Sequence, residues 1–402
     1  MQLHGRISKQ GCQLASITPS CPQCLKDTSY PVETMGITYR VFSKPFLAIQ
    51  DSEKAHGRAL TYLSKFANSN LIRPILELVY KPNKSVEISA FGLDFKNPFG
   101  LAAGMDKKAE ALNGWASLGC RFIEIGGITM LKQRGNPKPR MYRDNSTRSL
   151  VNRMGFNNIG SLEMKLKLKQ HYEKHGKPET PVFANIGKSK ATPLDAASLD
   201  YCTTIERLSD YVDGFVVNVS SPNTPNLRDL QESSALDNLL KEIQSTNLRC
   251  KKLPILIKIA PDLSDDQIIA IVDTAKSNEC AGIVLCNTTL SREVKKESKN
   301  PQIMEEKGGL SGSPLKERST EIISLVAKHT EFRWPIIGVG GIMNSEDAWE
   351  KIISGAWLIQ AYSGFVFEGP GIVKEIVHGL DKKLVSNGFK TLEQAVGSAH
   401  KE

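Results

Sequence analysis

The sequence predicts an α/β fold, a (β/α)8 TIM barrel with a small N-terminal helical extension, and three observations lead there. First, short β-rich runs recur at Phe99 to Gly104, Arg121 to Gly127, Pro181 to Gly187, Gly214 to Ser220, Pro254 to Ala260, Gly282 to Thr288, Pro335 to Gly341 and Leu358 to Gly364. Second, helical patterns lie between them, such as Lys108 to Leu118, Leu194 to Tyr211, Asp265 to Ser277, Lys316 to Lys328 and Ser345 to Ile353, with a last helix after Gly371. Strand alternating with helix implies parallel pairing through right-handed crossovers, and eight such units fit a closed barrel. Third, nothing matches the GxGxxG of a dinucleotide-binding turn or the GxxxxGK of a P-loop; the nearest segment, Gly338-Val-Gly-Gly341, has the wrong spacing.

Composition bounds the rest. The chain has 402 residues, 40% hydrophobic and 24% charged, which excludes collagen-like, coiled-coil and wholly disordered classes. Apolar runs break early, as Arg73 and Pro74 break Leu71 to Tyr80, well short of the roughly 18 residues a membrane span needs. The net charge of +9 suits anionic ligands, an anionic membrane face or nucleic acid. Lysine and arginine are scattered without a long run, which argues against nucleic acid. Eight cysteines in so long a chain read as reduced thiols rather than a disulfide framework.

In chain order, residues 1–34 form a leader: Met1 to Lys26 holds no Asp or Glu but carries Arg6, Lys9 and Lys26. That composition suits a targeting segment or a disordered tail. Cys12 stands apart, and Cys21 with Cys24 makes a lone CxxC whose role stays open. Residues 35–82 form a helical unit. Ala55, Ala59, Leu60, Leu63 and Phe66 follow Asp51 at helical spacing, and Leu71 to Tyr80 supplies a second apolar segment, either packed on the main domain or turned towards lipid. The barrel domain occupies 83–402 and opens with a strand pair, Val86 to Ser89 and Leu93 to Phe95.

Barrel active sites form at the C-terminal ends of the strands, so the residues there carry the functional argument. The first run leads into Ala102-Ala-Gly-Met-Asp-Lys107, the third holds Asn185 and leads to Lys188, and the fourth ends in Asn218-Val-Ser-Ser-Pro-Asn-Thr224. The fifth carries Lys258 and the sixth ends in Asn287-Thr-Thr289. Singly, such residues cap helices or reach solvent; together they would surround one mouth with amides and ammoniums that need partners, which a polar planar ligand supplies. Gly338, Gly340, Gly341, Ser363 and Gly364 end the last two runs, where barrels hold phosphate on backbone N–H groups, and Gly308-Gly-Leu-Ser-Gly312 is expected as a further flexible, N–H-rich loop.

The motifs Asn97-Pro-Phe-Gly-Leu-Ala-Ala-Gly-Met-Asp-Lys107, Asn136-Pro-Lys-Pro-Arg140, Asn152-Arg-Met-Gly-Phe-Asn157, Asn218-Val-Ser-Ser-Pro-Asn-Thr224 and Gly308-Gly-Leu-Ser-Gly312 stand in order on these strand ends. From about Met35 onward the sequence resembles the dihydroorotate dehydrogenase family, in its class 2, membrane-associated, quinone-reducing branch. The resemblance implies oxidation of (S)-dihydroorotate to orotate in pyrimidine (UMP) synthesis, with FMN as redox cofactor and a ubiquinone-type co-substrate. It implies Ser221 as general base, where class 1 members carry Cys, helped by a water or Thr224. Turnover should then rise with pH.

The same resemblance assigns substrate contacts to Lys107, Asn152, Gly155, Phe156, Asn157, Asn218, Asn223, Asn287 and Thr288, which suits a ring of alternating carbonyl and N–H groups because an amide both donates and accepts. FMN contacts fall on Ala102, Ala103, Gly104, Asn185, Asn218, Lys258, Gly312, Gly340, Gly341, Tyr362 and Ser363, and a quinone tunnel on His56, Arg143 and Tyr362. No metal is implied. The expected setting is peripheral contact with membrane lipid, at the mitochondrial inner membrane in a eukaryote or the cytoplasmic membrane in a bacterium, as a monomer without nucleic acid. Gly127, where many members have Ser or Thr, and Cys286, where many have Thr, depart from the family pattern. The rival readings are a class 1-like or dihydrouridine-synthase-like FMN barrel with a soluble acceptor, disfavoured by Ser221 and the helical extension, and a flavin- or pyrimidine-binding barrel without turnover.

Overall fold

The eight β-rich runs close into one parallel barrel in the computed structural model, which describes residues 51–223 and 227–401. The proposed leader, with Cys12, Cys21 and Cys24, lies outside the described residues, as does Thr224. The barrel strands are β3 (Phe99–Leu101), β4 (Phe122–Ile128), β7 (Val182–Ile186), β8 (Gly214–Asn218), β9 (Ile255–Lys258), β10 (Gly282–Leu285), β12 (Ile336–Val339) and β13 (Leu358–Ala361), each beside the next, with β13 closing on β3. Nearly every strand residue is buried, as a sheet enclosed on both faces requires. Several runs extend two or three residues past their strands, because the chain leaves the ladder to build the loops of the site.

The N-terminal end of the barrel is stoppered. A hairpin of β1 (Ile88–Ala90) and β2 (Leu93–Phe95) pairs Ile88 with Phe95, its first strand starting two residues after the expected Val86. Its Phe95 meets Phe122 edge-on at 5.7 Å, Phe122 meets Phe183 at 6.3 Å, and Phe91 meets Phe183 at 6.2 Å. Aromatic rings therefore fill that end, leaving the C-terminal end for a ligand.

The helices mostly follow the sequence reading. The one expected from Lys108 begins later, as α3 (Leu112–Ser117), because the buried Asp106 carboxylate accepts from the N–H groups of Glu110 at 2.7 Å and Ala111 at 2.9 Å and holds that turn out of the helix. Two elements correct the sequence reading. A separate antiparallel sheet over the barrel mouth joins β5 (Met141–Asp144), β6 (Ser149–Asn152) and β11 (Gly309–Gly312). The segment expected as the flexible loop Gly308 to Gly312 is thus largely a strand, paired residue by residue with β6.

Residues 35–50 of the proposed helical unit lie outside the described residues; the described part holds α1 (Ser52–Ala67), capped by Asp51 through a 2.9 Å bond from the Lys54 N–H, and α2 (Arg73–Tyr80). It packs on α3 so closely that a Cβ at Gly114 would lie 2.5 Å from Leu63 Cγ. Glu53 of α1 receives Arg140 at 2.6 Å, fixing the helix to the segment before β5. No described helix is long and apolar enough to cross a membrane.

Candidate active site

At the C-terminal strand ends lies a cavity of about 1120 Å³, its mouth included, partly roofed by Met141, Leu150 and Asn152 of the small sheet. Its floor holds an ion pair. Glu124, wholly buried on β4, faces Lys258 of β9 with 3.3 and 3.4 Å from its two oxygens to Nζ. Above it runs a chain of amides. Asn185 Nδ2 donates to Glu124 Oε1 at 2.6 Å, and Asn218 Nδ2 donates to Asn185 Oδ1 at 3.0 Å. Asn218 Oδ1 in turn accepts from the Ser220 N–H at 3.1 Å, from Ser220 Oγ at 3.0 Å and from Asn287 Nδ2 at 3.4 Å. Asn185 and Asn218 are thus held at both ends of their amides, and with Asn287 they line the cavity.

Ser221 stands in the wall of this cavity, 7% exposed. Its Oγ accepts the Asn223 N–H at 3.3 Å, and no described carboxylate or imidazole is hydrogen-bonded to it. Asn223 Nδ2 reaches Asn152 Oδ1 at 3.4 Å, drawing the serine loop towards the roof sheet. On the opposite side, burial pushes the Lys107 ammonium down to about 8, the Arg140 guanidinium adding to the shift while Glu53 opposes it. Lys107 and Tyr362 flank the space beside Gly104.

The structure brings to this cavity Ala102, Ala103, Gly104, Lys107, Asn152, Gly155, Phe156, Asn185, Asn218, Ser221, Asn223 and Lys258. Asn287, Thr288, Gly312, Gly340, Gly341, Tyr362 and Ser363 line it too. Three residues to which the resemblance assigned contacts stand elsewhere. Asn157 lies behind the wall near Gly135, with its Oδ1 buried and unpartnered among the described residues. Arg143 sits half-buried on β5, outside the lining. His56 is on α1, close enough to Lys107 and the Met105 backbone for both to act on its ring; burial first, then Lys107, pushes it down to about 4, so it is neutral at ordinary pH.

The two departures have physical readings. A Cβ at Gly127 would stand 2.1 Å from Phe156 Cε1 and 3.1 Å from Asn185 Oδ1, so the ring of Phe156 fills the place a serine would need. Cys286 is buried and its thiol is pushed up to about 12 by that burial, which makes it inert wall.

The wall fits FMN. At Gly341, with φ +72°, a Cβ would lie 2.5 Å from Lys316 Cα, so only glycine fits there, and this residue lines the cavity beside Gly340. Gln360 on β13 is 1% exposed and lines the cavity, yet its Oε1 has no hydrogen-bond partner among the described residues. An orphaned buried acceptor beside a polar cavity suits a ligand carrying N–H or hydroxyl donors. The sequence reading missed Gln360 and Glu124. A signal existed for both: one polar residue inside an apolar barrel strand, in Phe122-Ile-Glu-Ile125 and Leu358-Ile-Gln-Ala361, must find a partner inside.

Known proteins agree with this geometry. Residues 85–384 match the family model described as dihydroorotate dehydrogenase. A protein of Gloeobacter violaceus named dihydroorotate dehydrogenase (quinone) is 44% identical over 362 residues, covering 90% of this chain and 99% of the relative. One of that name from Trichodesmium erythraeum is 45% identical, covering 87% of this chain and 95% of its own. The crystal structure of an Eimeria tenella DHODH in complex with ferulenol superposes with a TM-score of 0.80 at 30% identity, across 88% of this chain and 97% of that one. A closed barrel with an amide-walled cavity at its C-terminal end and a match across nearly its whole length carry one conclusion: this chain belongs to the dihydroorotate dehydrogenase family.

Proposed function

We propose that this chain oxidises (S)-dihydroorotate to orotate for pyrimidine synthesis, passing the electrons to a ubiquinone-type acceptor. The observation that carries this reading is the placing of Ser221 among Asn152, Asn218, Asn223 and Asn287 in one cavity wall. Forming the new double bond removes a proton from one carbon and a hydride from its neighbour. FMN, when bound, supplies the hydride acceptor and the route for electrons to the quinone, chemistry no side chain offers. Ser221 Oγ takes the proton while its own hydroxyl proton passes to water; the N–H of Asn223 supports the oxygen as charge develops. The amides hold the ring through paired donors and acceptors, and the Lys107 ammonium meets the substrate carboxylate. Lys258, paired with Glu124, offers its ammonium as a donor at the floor, and Gly312, Gly340, Gly341 and Ser363 line the wall where the phosphate would lie.

The helical extension serves the second substrate. Tyr62, Phe66, Leu71, Ile72, Ile75 and Leu78 are exposed on it, Leu71 to 85% and Leu78 to 79%. Such a surface supports peripheral contact with lipid, where an apolar quinone resides, and the neutral His56 with Tyr362 and Arg143 marks its way inward. The protein would work as a monomer on the inner mitochondrial membrane of a eukaryote or the cytoplasmic membrane of a bacterium.

The test is direct. Anaerobic dihydroorotate added to the yellow FMN-loaded chain should bleach it, and a short-chain quinone, but neither fumarate nor NAD, should restore the colour. Colour that persists with dihydroorotate would remove this reading.

A further inference from the structure

We propose that Glu124 is the counter-ion that sets the redox poise of the cavity: by balancing Lys258 it keeps the reduction potential of a bound flavin below the value a lone ammonium would impose. The proposal rests on the reading of this cavity as an FMN site.

Glu124 does not line the cavity; it lies beneath it, wholly buried, and reaches the ligand only through what it holds. Its two oxygens stand at 3.3 and 3.4 Å from Lys258 Nζ, so the ammonium sits nearly evenly between them. Lys258 has a side chain only 5% exposed, and Glu124 is its sole ion-pair partner among the described residues. The floor is therefore neutral as a pair and, with little water near, strongly positive if the carboxylate alone is removed.

A carboxylate also only accepts. Asn185 must then point its NH2 down to Glu124 and its carbonyl up to Asn218. A Gln at 124 keeps an acceptor oxygen for Asn185 and nearly the same shape, so Glu124→Gln changes charge with the amide chain retained.

Charge at this floor acts on one equilibrium above all. Oxidised FMN takes up two electrons and one proton to give an anion, so a nearby unbalanced cation favours the reduced form and an unbalanced anion disfavours it. Within a ring's breadth of the charge, a tenfold change in that equilibrium constant is expected, which for a two-electron couple is about 30 mV.

The experiment is a reductive titration of the FMN-loaded full chain against a reference dye, which supplies the electrons without dihydroorotate. Glu124→Gln should favour reduction at least tenfold, and Lys258→Met should disfavour it by a similar factor. The double variant, with neither charge, should return to within a few-fold of the unsubstituted protein. Sulfite, whose flavin adduct is also anionic, should bind more tightly to Glu124→Gln in step. Removing one member of a buried pair destabilises, whereas removing both is often tolerated, so the double variant set against Lys258→Met decides the matter if Glu124→Gln does not fold. The proposal is overturned if Glu124→Gln holds FMN at an unchanged potential, or if the double variant stays as low as Lys258→Met. A wild-type protein that titrates with dye but ignores dihydroorotate would refute the substrate reading and leave this one standing.

Discussion

Ser221 and Lys107 pull the pH dependence of this site in opposite directions. A serine hydroxyl is a poor proton acceptor until its own proton can leave, so the step it serves quickens as pH rises. Lys107, held near 8 by burial, loses its charge over the same range, and with it the pull on an anionic substrate. Maximal turnover should therefore climb on the alkaline side while KM for dihydroorotate worsens above about pH 8, by up to about tenfold per pH unit. Their ratio should pass through a maximum, which steady-state rates across pH would reveal; a KM flat from pH 7 to 10 would clear Lys107 of this role. Ser221→Ala should keep fold and flavin but lower kcat by about 10²-fold or more. Single-turnover bleaching measures it, and a near-normal trace would acquit the serine. Most of the cavity wall could be named from the sequence because strand ends in a barrel have fixed addresses. Glu124 and Gln360 could not be assigned partners, since which buried residue faces which depends on strand register across the barrel interior.

At the scale of elements, α2 is anomalous for a soluble surface. It has no buried residue and presents Ile75 and Leu78 beside Leu71 of the preceding turn and Tyr62 and Phe66 of α1. Helix α1, by contrast, is fastened, by Glu53 to Arg140 and by Leu63 against Gly114. Replacing Leu71, Ile75 and Leu78 together with Ser should weaken binding to anionic vesicles by about a hundredfold, taking roughly 1 kcal/mol for each partly inserted side chain. Dye-linked oxidation of dihydroorotate should stay near normal. Flotation with vesicles separates the two effects, and undiminished flotation would show that lipid contact lies elsewhere. Helical spacing made both helices legible, yet it left open whether the second apolar face met protein or water. The roof sheet was not legible at all, because β6 and β11 are more than 150 residues apart and neither strand shows a period that distinguishes it from a loop.

For the whole molecule, folding holds two imidazoles neutral. His56 and His171 are both pushed down to about 4, burial being the main cause in each. In the unfolded chain they titrate near 6.5. Between those values the unfolded state binds more protons, so stability is full above the upper value and is lost as pH falls through the window. The thermal midpoint should drop by a few degrees from pH 7 to pH 5, and His171→Gln should flatten that slope. Scanning calorimetry checks both, and equal midpoints at the two pH values would contradict the argument. On this scale the sequence alone determined the barrel, its orientation and the ring of polar residues at one end, because alternation of strand and helix and the motif order are local properties. Only the tertiary structure decided that the other end is stoppered by phenylalanines, that a small sheet covers the mouth, and that a carboxylate lies under Lys258. Those facts depend on contacts between residues distant in the chain, whose energies arise only once the barrel has closed.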